Sequence, residues 1–148
     1  MNEITMNYLK QLNSDIKSGN FSKKDEALNL LTVLDAETLH PGLQMYRSYL
    51  LAKIYYLNSK HGDVLENMLA ANNYYKEIFF IARHNDLKVN DSRYHFKHAE
   101  SFYRLYLHSL CYIRREELLK ESFRLTHTAL LKYPKNSSLN WLMDEITK

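Results

Sequence analysis

Only three glycines and two prolines occur among the 148 residues of this chain, and this shortage limits the folds it can adopt. Sheet proteins of this size need many tight turns, which usually take glycine, proline or Asn-Gly pairs. The shortage therefore predicts a few long helices joined by short polar loops. Hydrophobic residues make up 45% of the chain and charged residues 25%, so a single domain over residues 1–148 has enough apolar surface to bury a core.

Apolar side chains recur at helical spacing along the chain. Ile4, Tyr8, Leu12 and Ile16, for example, follow one another every four residues, which places them on one side of a helix. No segment alternates apolar and polar residues over enough length to form a convincing strand. We therefore predict an all-α fold, with helices over residues 3–17, 22–36, 43–58, 63–84, 93–113, 116–132 and 137–146.

The segment 129–136, Ala-Leu-Leu-Lys-Tyr-Pro-Lys-Asn, resembles the end of the second helix of a tetratricopeptide repeat. With Pro134 at the family's proline, Tyr106 takes the aromatic position near the start of the repeat, and Ser122 and Ala129 take the two small positions. Leu110, where the family prefers glycine, and Thr126, where it prefers an aromatic residue, depart from the pattern. Residues 19–28 resemble the turn and the start of the second helix of another such repeat, with Ala27 at the small position.

The resemblance implies an antiparallel array of about three helical hairpins with a C-terminal capping helix. Each amphipathic hairpin must stack on a neighbour to bury its apolar side. Such an array has a concave groove in which it can bind a peptide or a helix of another protein. The resemblance thus implies a protein-interaction module, with an adaptor or chaperone-like role.

Twelve tyrosines make aromatic side chains unusually frequent in this chain. A tyrosine is costly to bury unless its hydroxyl finds a partner, whereas a half-exposed tyrosine can contact a bound peptide. We expect Tyr49, Tyr56, Tyr103 and Tyr106 to line the peptide groove. The alternative is that these side chains are part of the core.

Basic side chains share one side of the predicted fifth helix. Arg93, Lys97 and Arg104 lie there with Glu100 among them, which makes them candidates for contact with an acidic peptide, or else an ordinary solvated helix surface. Residues 91–148 hold ten lysines and arginines but seven acidic residues, whereas residues 1–90 hold ten of each. A regulatory domain that binds nucleic acid through its basic C-terminal third is therefore an alternative function.

Catalytic and metal-binding signatures are weak in this sequence. His95 and His98 lie three residues apart, but neither Glu100 nor His108 completes a recognised metal-site spacing with them. The sequence has neither a glycine-rich phosphate loop nor a nucleophile motif. We expect no catalytic residues, no metal and no cofactor, and a small helical enzyme or metal protein is the second alternative.

The single cysteine, Cys111, cannot form an internal disulfide and lies in an apolar stretch, so we expect a small buried hydrophobic residue. We expect no signal segment and no membrane span, and therefore a cytoplasmic protein. Homo-oligomerisation remains open, because an array with an uncapped apolar end tends to pair.

Overall fold

The computed structural model describes residues 5–109 and 112–148 of the chain, without the side chains of residues 112 and 113. Every regular element within these ranges is helical, as predicted. Short 3-10 turns at Ala36–Thr38 and Ser59–His61 precede and follow the third helix. The helices are α1 (Met6–Lys17), α2 (Phe21–Val33), α3 (Pro41–Asn58), α4 (Val64–His84), α5 (Ser92–His108), α6 (Tyr112–Lys132) and α7 (Ser137–Ile146).

Polar side chains define where most of these helices begin. The side-chain oxygens of Thr5, Asn20, Asp91 and Asn136 each accept a hydrogen bond from a backbone N–H in the first turn of the following helix. Such caps satisfy N–H groups that have no partner within the helix. The predicted break after the first helix is also confirmed, because Gly19 adopts a left-handed conformation with φ of 79°.

The starts of α2 and α4 differ by one residue from the predicted 22 and 63. Helix α2 begins at Phe21, because the side chain of the capping residue Asn20 accepts a hydrogen bond from the Lys23 N–H at 3.2 Å. Asp63 precedes α4 but makes no side-chain cap, since its own backbone is left-handed with φ of 45°. The side chain of Asn67 instead donates hydrogen bonds to the carbonyls of Gly62 and Asp63, both at 3.1 Å.

The predicted fifth helix over 93–113 also ends too late. The structure ends α5 at His108, Ser109 is extended with ψ of 134°, and α6 already begins at Tyr112. The apolar side chains continue across this break with no glycine or proline, so the pattern gave no sign of it. The expectations for Leu110 and Cys111 lie outside the described residues.

The helices form an array of hairpins, which confirms the predicted fold class. Within the described ranges, α1 packs with α2, α3 with α4, and α5 with α6, while α4 packs on α5 and α6 on α7. Odd-numbered helices also contact each other, α1 with α3 and α5 with α7. The C-terminal helix α7 therefore covers the end of the third hairpin. No helix in the described part of the chain is both long and apolar enough to cross a membrane.

The core consists of two clusters of buried side chains. The larger cluster draws on α1 to α4 and reaches Val89 before α5, and its fully buried members include Leu9, Leu31, Leu50 and Ile78. The smaller one joins α5 to α7 through Ala99, Tyr103 and Leu142.

Small residues lie where α5 crosses its two neighbours. Ala99 is fully buried, and its carbonyl accepts a 2.8 Å hydrogen bond from the hydroxyl of Ser122 on α6. On the other side, the amide of Asn72 on α4 donates to the Ser101 hydroxyl at 2.9 Å. Both hydrogen bonds are buried, so they satisfy polar groups that would otherwise oppose the close packing. The three predicted small positions are all buried in the structure; they are Ala27, Ser122 and Ala129.

Ala99→Leu should therefore lower the free energy of unfolding by about 2 kcal/mol, because the extra methylenes have no space between α5 and α6. Urea unfolding followed by circular dichroism measures the change. Asn29→Leu, at an exposed position on α2, is the control and should leave stability nearly unchanged. Equal stability of both variants would show that this crossing is not tightly packed.

Candidate functional site

One side of α3 carries alternating aromatic and basic side chains. Tyr46, Tyr49, Lys53 and Tyr56 follow at spacings of three or four residues, which aligns them along one side of the helix, and Lys60 follows in the 3-10 turn after α3. The Lys53 ammonium lies 5.7 Å from the centre of the Tyr49 ring, and the Lys60 ammonium lies 5.2 Å from that of Tyr56. Each lysine thus lies beside a tyrosine ring, because a cation is attracted to the π-electron face of an aromatic ring.

One side of α5 carries mostly charged side chains at the same helical spacing. Arg93, Lys97, Glu100 and Arg104 lie along it. Arg93 is fixed at the start of the helix, because its guanidinium donates to both oxygens of the capping residue Asp91, with the Nη2–Oδ2 pair at 2.7 Å. This pairing lowers the pKa of the Asp91 carboxyl and raises that of Arg93.

These sides of α3 and α5 meet in the folded chain. The rings of Tyr49 and Tyr94 lie 4.8 Å apart, and the Lys97 ammonium lies 4.7 Å from the centre of the Tyr56 ring. Further along, Tyr56 and Arg104 line a cavity of about 430 Å³ with Lys60, Val64, Met68 and His108.

Helices α1 and α7 extend this surface at its two edges. Asn13 on α1 accepts a 2.8 Å hydrogen bond from the Lys53 ammonium, and the Arg104 guanidinium lies 6.0 Å from the ring centre of Trp141 on α7. We call the surface the odd-helix face, because odd-numbered helices and residues directly beside them supply it. Its residues are Asn13, Lys17, Tyr46, Tyr49, Lys53, Tyr56, Lys60, Asp91, Arg93, Tyr94, Lys97, Glu100, Arg104 and Trp141.

Glu100 is the buried anchor of the odd-helix face. It is 5% exposed, and its carboxylate lies 3.2 Å from the Lys97 ammonium and 3.6 Å from the Arg104 guanidinium. A buried carboxylate is tolerated only when it is paired, and here two cations share that role. The pairing positions Lys97 and Arg104 on either side of Glu100.

Lys53 sits among like charges. Burial is the main cause that lowers its pKa to about 8, and the positive charges of Lys17, Lys97 and Arg93 lower it further. A lowered lysine pKa means that the site disfavours the proton that Lys53 carries. An anion placed among these four cations would relieve their mutual repulsion.

The structure brings together five of the seven residues singled out from the sequence. Tyr49, Tyr56, Arg93, Lys97 and Arg104 all belong to the odd-helix face. Tyr49 is only 9% exposed, so it presents little more than the edge of its ring.

Tyr103 and Tyr106 lie away from the odd-helix face, in the smaller core cluster. Tyr103 is 8% exposed beside Ala99 and Leu142. Tyr106 is half-buried, with the Arg115 guanidinium 4.8 Å from its ring centre.

Lys53, Tyr94 and Trp141 were missed by the sequence reasoning. Lys53 could have been found, because it follows Tyr46 and Tyr49 at helical spacing on one side of α3. Tyr94 and Trp141 carried no such signal, since they join the face only through contacts between helices.

His95 and His98 use their rings for packing. The His95 Nε2 lies 2.7 Å from the carbonyl oxygen of Val89, and the His98 ring stacks on Phe79 with centres 4.6 Å apart. Burial lowers the pKa of His98 to about 4, so its imidazole is neutral at pH 7. Across residues 5–109 and 112–148, no three histidine, cysteine or acidic side chains are grouped so that they could hold a metal ion.

Comparisons with protein-family models, with curated proteins and with solved structures found no match for the chain. The tetratricopeptide resemblance of residues 129–136 therefore stays a prediction. The coarser statement, an all-helical array whose hairpins pack on their neighbours, is what the structure establishes.

Glu100→Gln should lower the free energy of unfolding by about 2 kcal/mol, because it leaves Lys97 and Arg104 without their shared buried carboxylate. Denaturant unfolding at pH 7 measures the loss. Glu145→Gln is the matched control, since its partner Lys148 is also three residues away but lies at the surface. A loss no greater for Glu100→Gln than for this control would contradict the anchoring role.

Lys53 should make stability depend on pH. Between about pH 8 and 10.5 the unfolded chain holds a proton at Lys53 that the native protein has lost, so stability from this group rises with pH through that window. Lys53→Met removes the effect, so the stability of the variant relative to wild type should decline as pH is raised from 7 to 10. Thermal unfolding across this range measures it, with Lys120→Met on the exposed side of α6 as control. If the difference in stability between Lys53→Met and wild type is constant with pH, the lowered pKa of Lys53 is contradicted.

Proposed function

We propose that this chain is a protein-interaction module that binds an acidic peptide segment on the odd-helix face. The observation that carries the proposal is the excess of positive charge there. The face's six cations are Lys17, Lys53, Lys60, Arg93, Lys97 and Arg104. Its two carboxylates, Asp91 and Glu100, are already paired with Arg93 and with Lys97 and Arg104 respectively.

The cations around Lys53 support an anionic ligand in particular, because Lys17, Lys97 and Arg93 lower its pKa in addition to the larger effect of burial. Positive charges that repel one another within a folded protein favour binding of a carboxylate, because the ligand removes an existing electrostatic cost. Lys53 lies on the side of α3 that carries Tyr49 and Tyr56, between α1 and α5. An acidic side chain of the peptide bound there would contact cations from three helices.

The tyrosines supply contact area for the rest of the peptide. Tyr46 and Tyr56 are half-buried, and each presents an apolar ring with a polar hydroxyl. Burial raises the pKa of Tyr46, which keeps its phenol protonated and able to donate a hydrogen bond. Rigid aromatic side chains of this kind are frequent in the energetically important centres of protein interfaces.

The finer identity, a tetratricopeptide-like adaptor or chaperone in the cytoplasm, is part of the same proposal. It is supported by the pairing of helices into hairpins and by the buried small side chains of Ala27, Ser122 and Ala129. A binding surface formed by the first helix of each hairpin fits the groove that such arrays use.

Nucleic acid is the alternative polyanion for this face. Three of its six cations, Lys17, Lys53 and Lys60, lie before residue 90, so the C-terminal third alone does not supply the positive charge. Arg93, Lys97 and Arg104 are already paired with carboxylates, which leaves less positive charge for a run of phosphates. We therefore favour an acidic peptide, and the experiment below separates the two ligands.

The test is affinity capture from a nuclease-treated extract of the source organism, followed by quantitative mass spectrometry. Wild type is compared with the double variant Tyr56→Ala/Lys53→Gln. Proteins that bind the odd-helix face should be captured by the wild type and reduced at least tenfold on the variant, because the variant loses an aromatic contact and a cation. Raising the salt concentration should also release them.

The matched control is Tyr8→Ala/Lys120→Gln, which removes the same residue types from α1 and α6. Circular dichroism must show that both double variants remain folded. Equal capture by both variants would contradict the proposal. Capture of nucleic acid alone from an untreated extract, with no protein enriched, would favour the alternative.

A further inference from the structure

A second surface runs along a different side of α5. Its floor is α5 and its walls are α4 and α6, so we call it the α4–α6 groove. It contains two cavities of about 520 and 580 Å³. Volumes of this size are typical of sites that take a ligand or several side chains of a partner.

Apolar side chains line part of each cavity. The first is lined by Leu65, Leu69, Phe102, Leu105 and Leu118, among others. The second is lined by Phe79, Leu125, Ala129 and Leu131. Leu69 is 39% exposed and Leu131 is 74% exposed, so the groove leaves large apolar side chains in contact with water. A partner that covers them gains the hydrophobic free energy of that surface.

A polar belt separates the two cavities. It consists of Lys76 on α4, His98 on α5, and Glu121 and Arg124 on α6. Arg124 donates to Glu121 at 3.0 Å, and both act on His98 through their charges. The Lys76 ammonium lies 5.2 Å from the centre of the Phe102 ring. An acyl chain would need a continuous apolar channel, which this belt interrupts.

Cations line both cavities of the groove. Among the described residues, its cavities are lined by five cations, Lys76, Arg83, Arg114, Arg124 and Lys132, and by no carboxylate. Arg124 is paired with Glu121 in the polar belt, and Lys132 donates to Asn90 at 2.8 Å. A complementary partner therefore has apolar side chains that enter the cavities and acidic side chains that meet the cations of the groove.

The distance between the cavities suits a helix. Leu69 in the first and Phe79 in the second are ten residues apart on α4, which is about 15 Å along a helix axis. A helix lying along α4 would place apolar side chains into both cavities if they were about three turns apart. A residue halfway between them would face the polar belt.

We propose that the α4–α6 groove docks an amphipathic helix of a partner protein, with two apolar anchors about three turns apart and an acidic residue between them. The acidic residue meets Lys76 in the belt, because Arg124 is already paired with Glu121. This site is separate from the odd-helix face and does not depend on the function proposed for it.

The probe is an mRNA-displayed library of 18-residue peptides in a helix-favouring background, selected against the full chain. The selected peptides should carry apolar residues ten or eleven positions apart with aspartate or glutamate between them. Their Kd, measured by fluorescence anisotropy, should rise at least tenfold on Lys76→Glu. Changing the central acidic residue of the peptide to lysine should restore binding to that variant, because the two charges are then exchanged.

Two further variants locate the site. Leu69→Asp, at a partly exposed position, should abolish binding while circular dichroism shows an intact fold. Tyr56→Ala/Lys53→Gln should bind the peptides as tightly as wild type does. The inference is overturned if the selection yields no helical peptide or if Lys76→Glu binds the peptides as wild type does. It is also overturned if Tyr56→Ala/Lys53→Gln weakens peptide binding. That last result would place the helix on the odd-helix face and leave the proposed function standing.

Discussion

The close packing of α4 and α6 against α5 joins the larger core cluster to the smaller one. Ala99 and Ser101 lie on adjoining sides of α5, and their small side chains let the neighbouring helices come near. The hydroxyl of Ser122 and the amide of Asn72 then complete two buried hydrogen bonds across these contacts. Larger side chains here would separate the helices and leave these polar groups without partners.

With α5 held between its neighbours, its remaining sides are directed to two different surfaces. Lys97 and Arg104 join the odd-helix face around the buried Glu100, whereas His98 and Phe102 form the floor of the α4–α6 groove. Both surfaces have more cations than carboxylates among the residues described. The same helix thus contributes side chains to both proposed binding sites.

Much of the candidate site could be predicted from helical spacing alone. Residues of the odd-helix face share one side of a helix with one another, and such alignment is a local property of the chain. This is why the sequence singled out Tyr49, Tyr56, Arg93, Lys97 and Arg104. Tyr103 shows the limit of this reasoning. Its helical spacing does not distinguish it from an exposed residue. In the structure it is buried against Leu142 of another helix. Helical spacing specifies which residues share a side but not what that side contacts.

An all-helical chain follows from local features of the sequence, because glycine and proline are scarce and a cap such as Asp91 acts within one turn. Which helix sides face one another is a property of the tertiary structure alone. The contact of Tyr49 with Tyr94, the cations around Lys53 and the cavities between α4 and α6 all join residues distant in the chain. Such contacts depend on how whole helices pack, and packing minimises the free energy of the entire core rather than of any one segment.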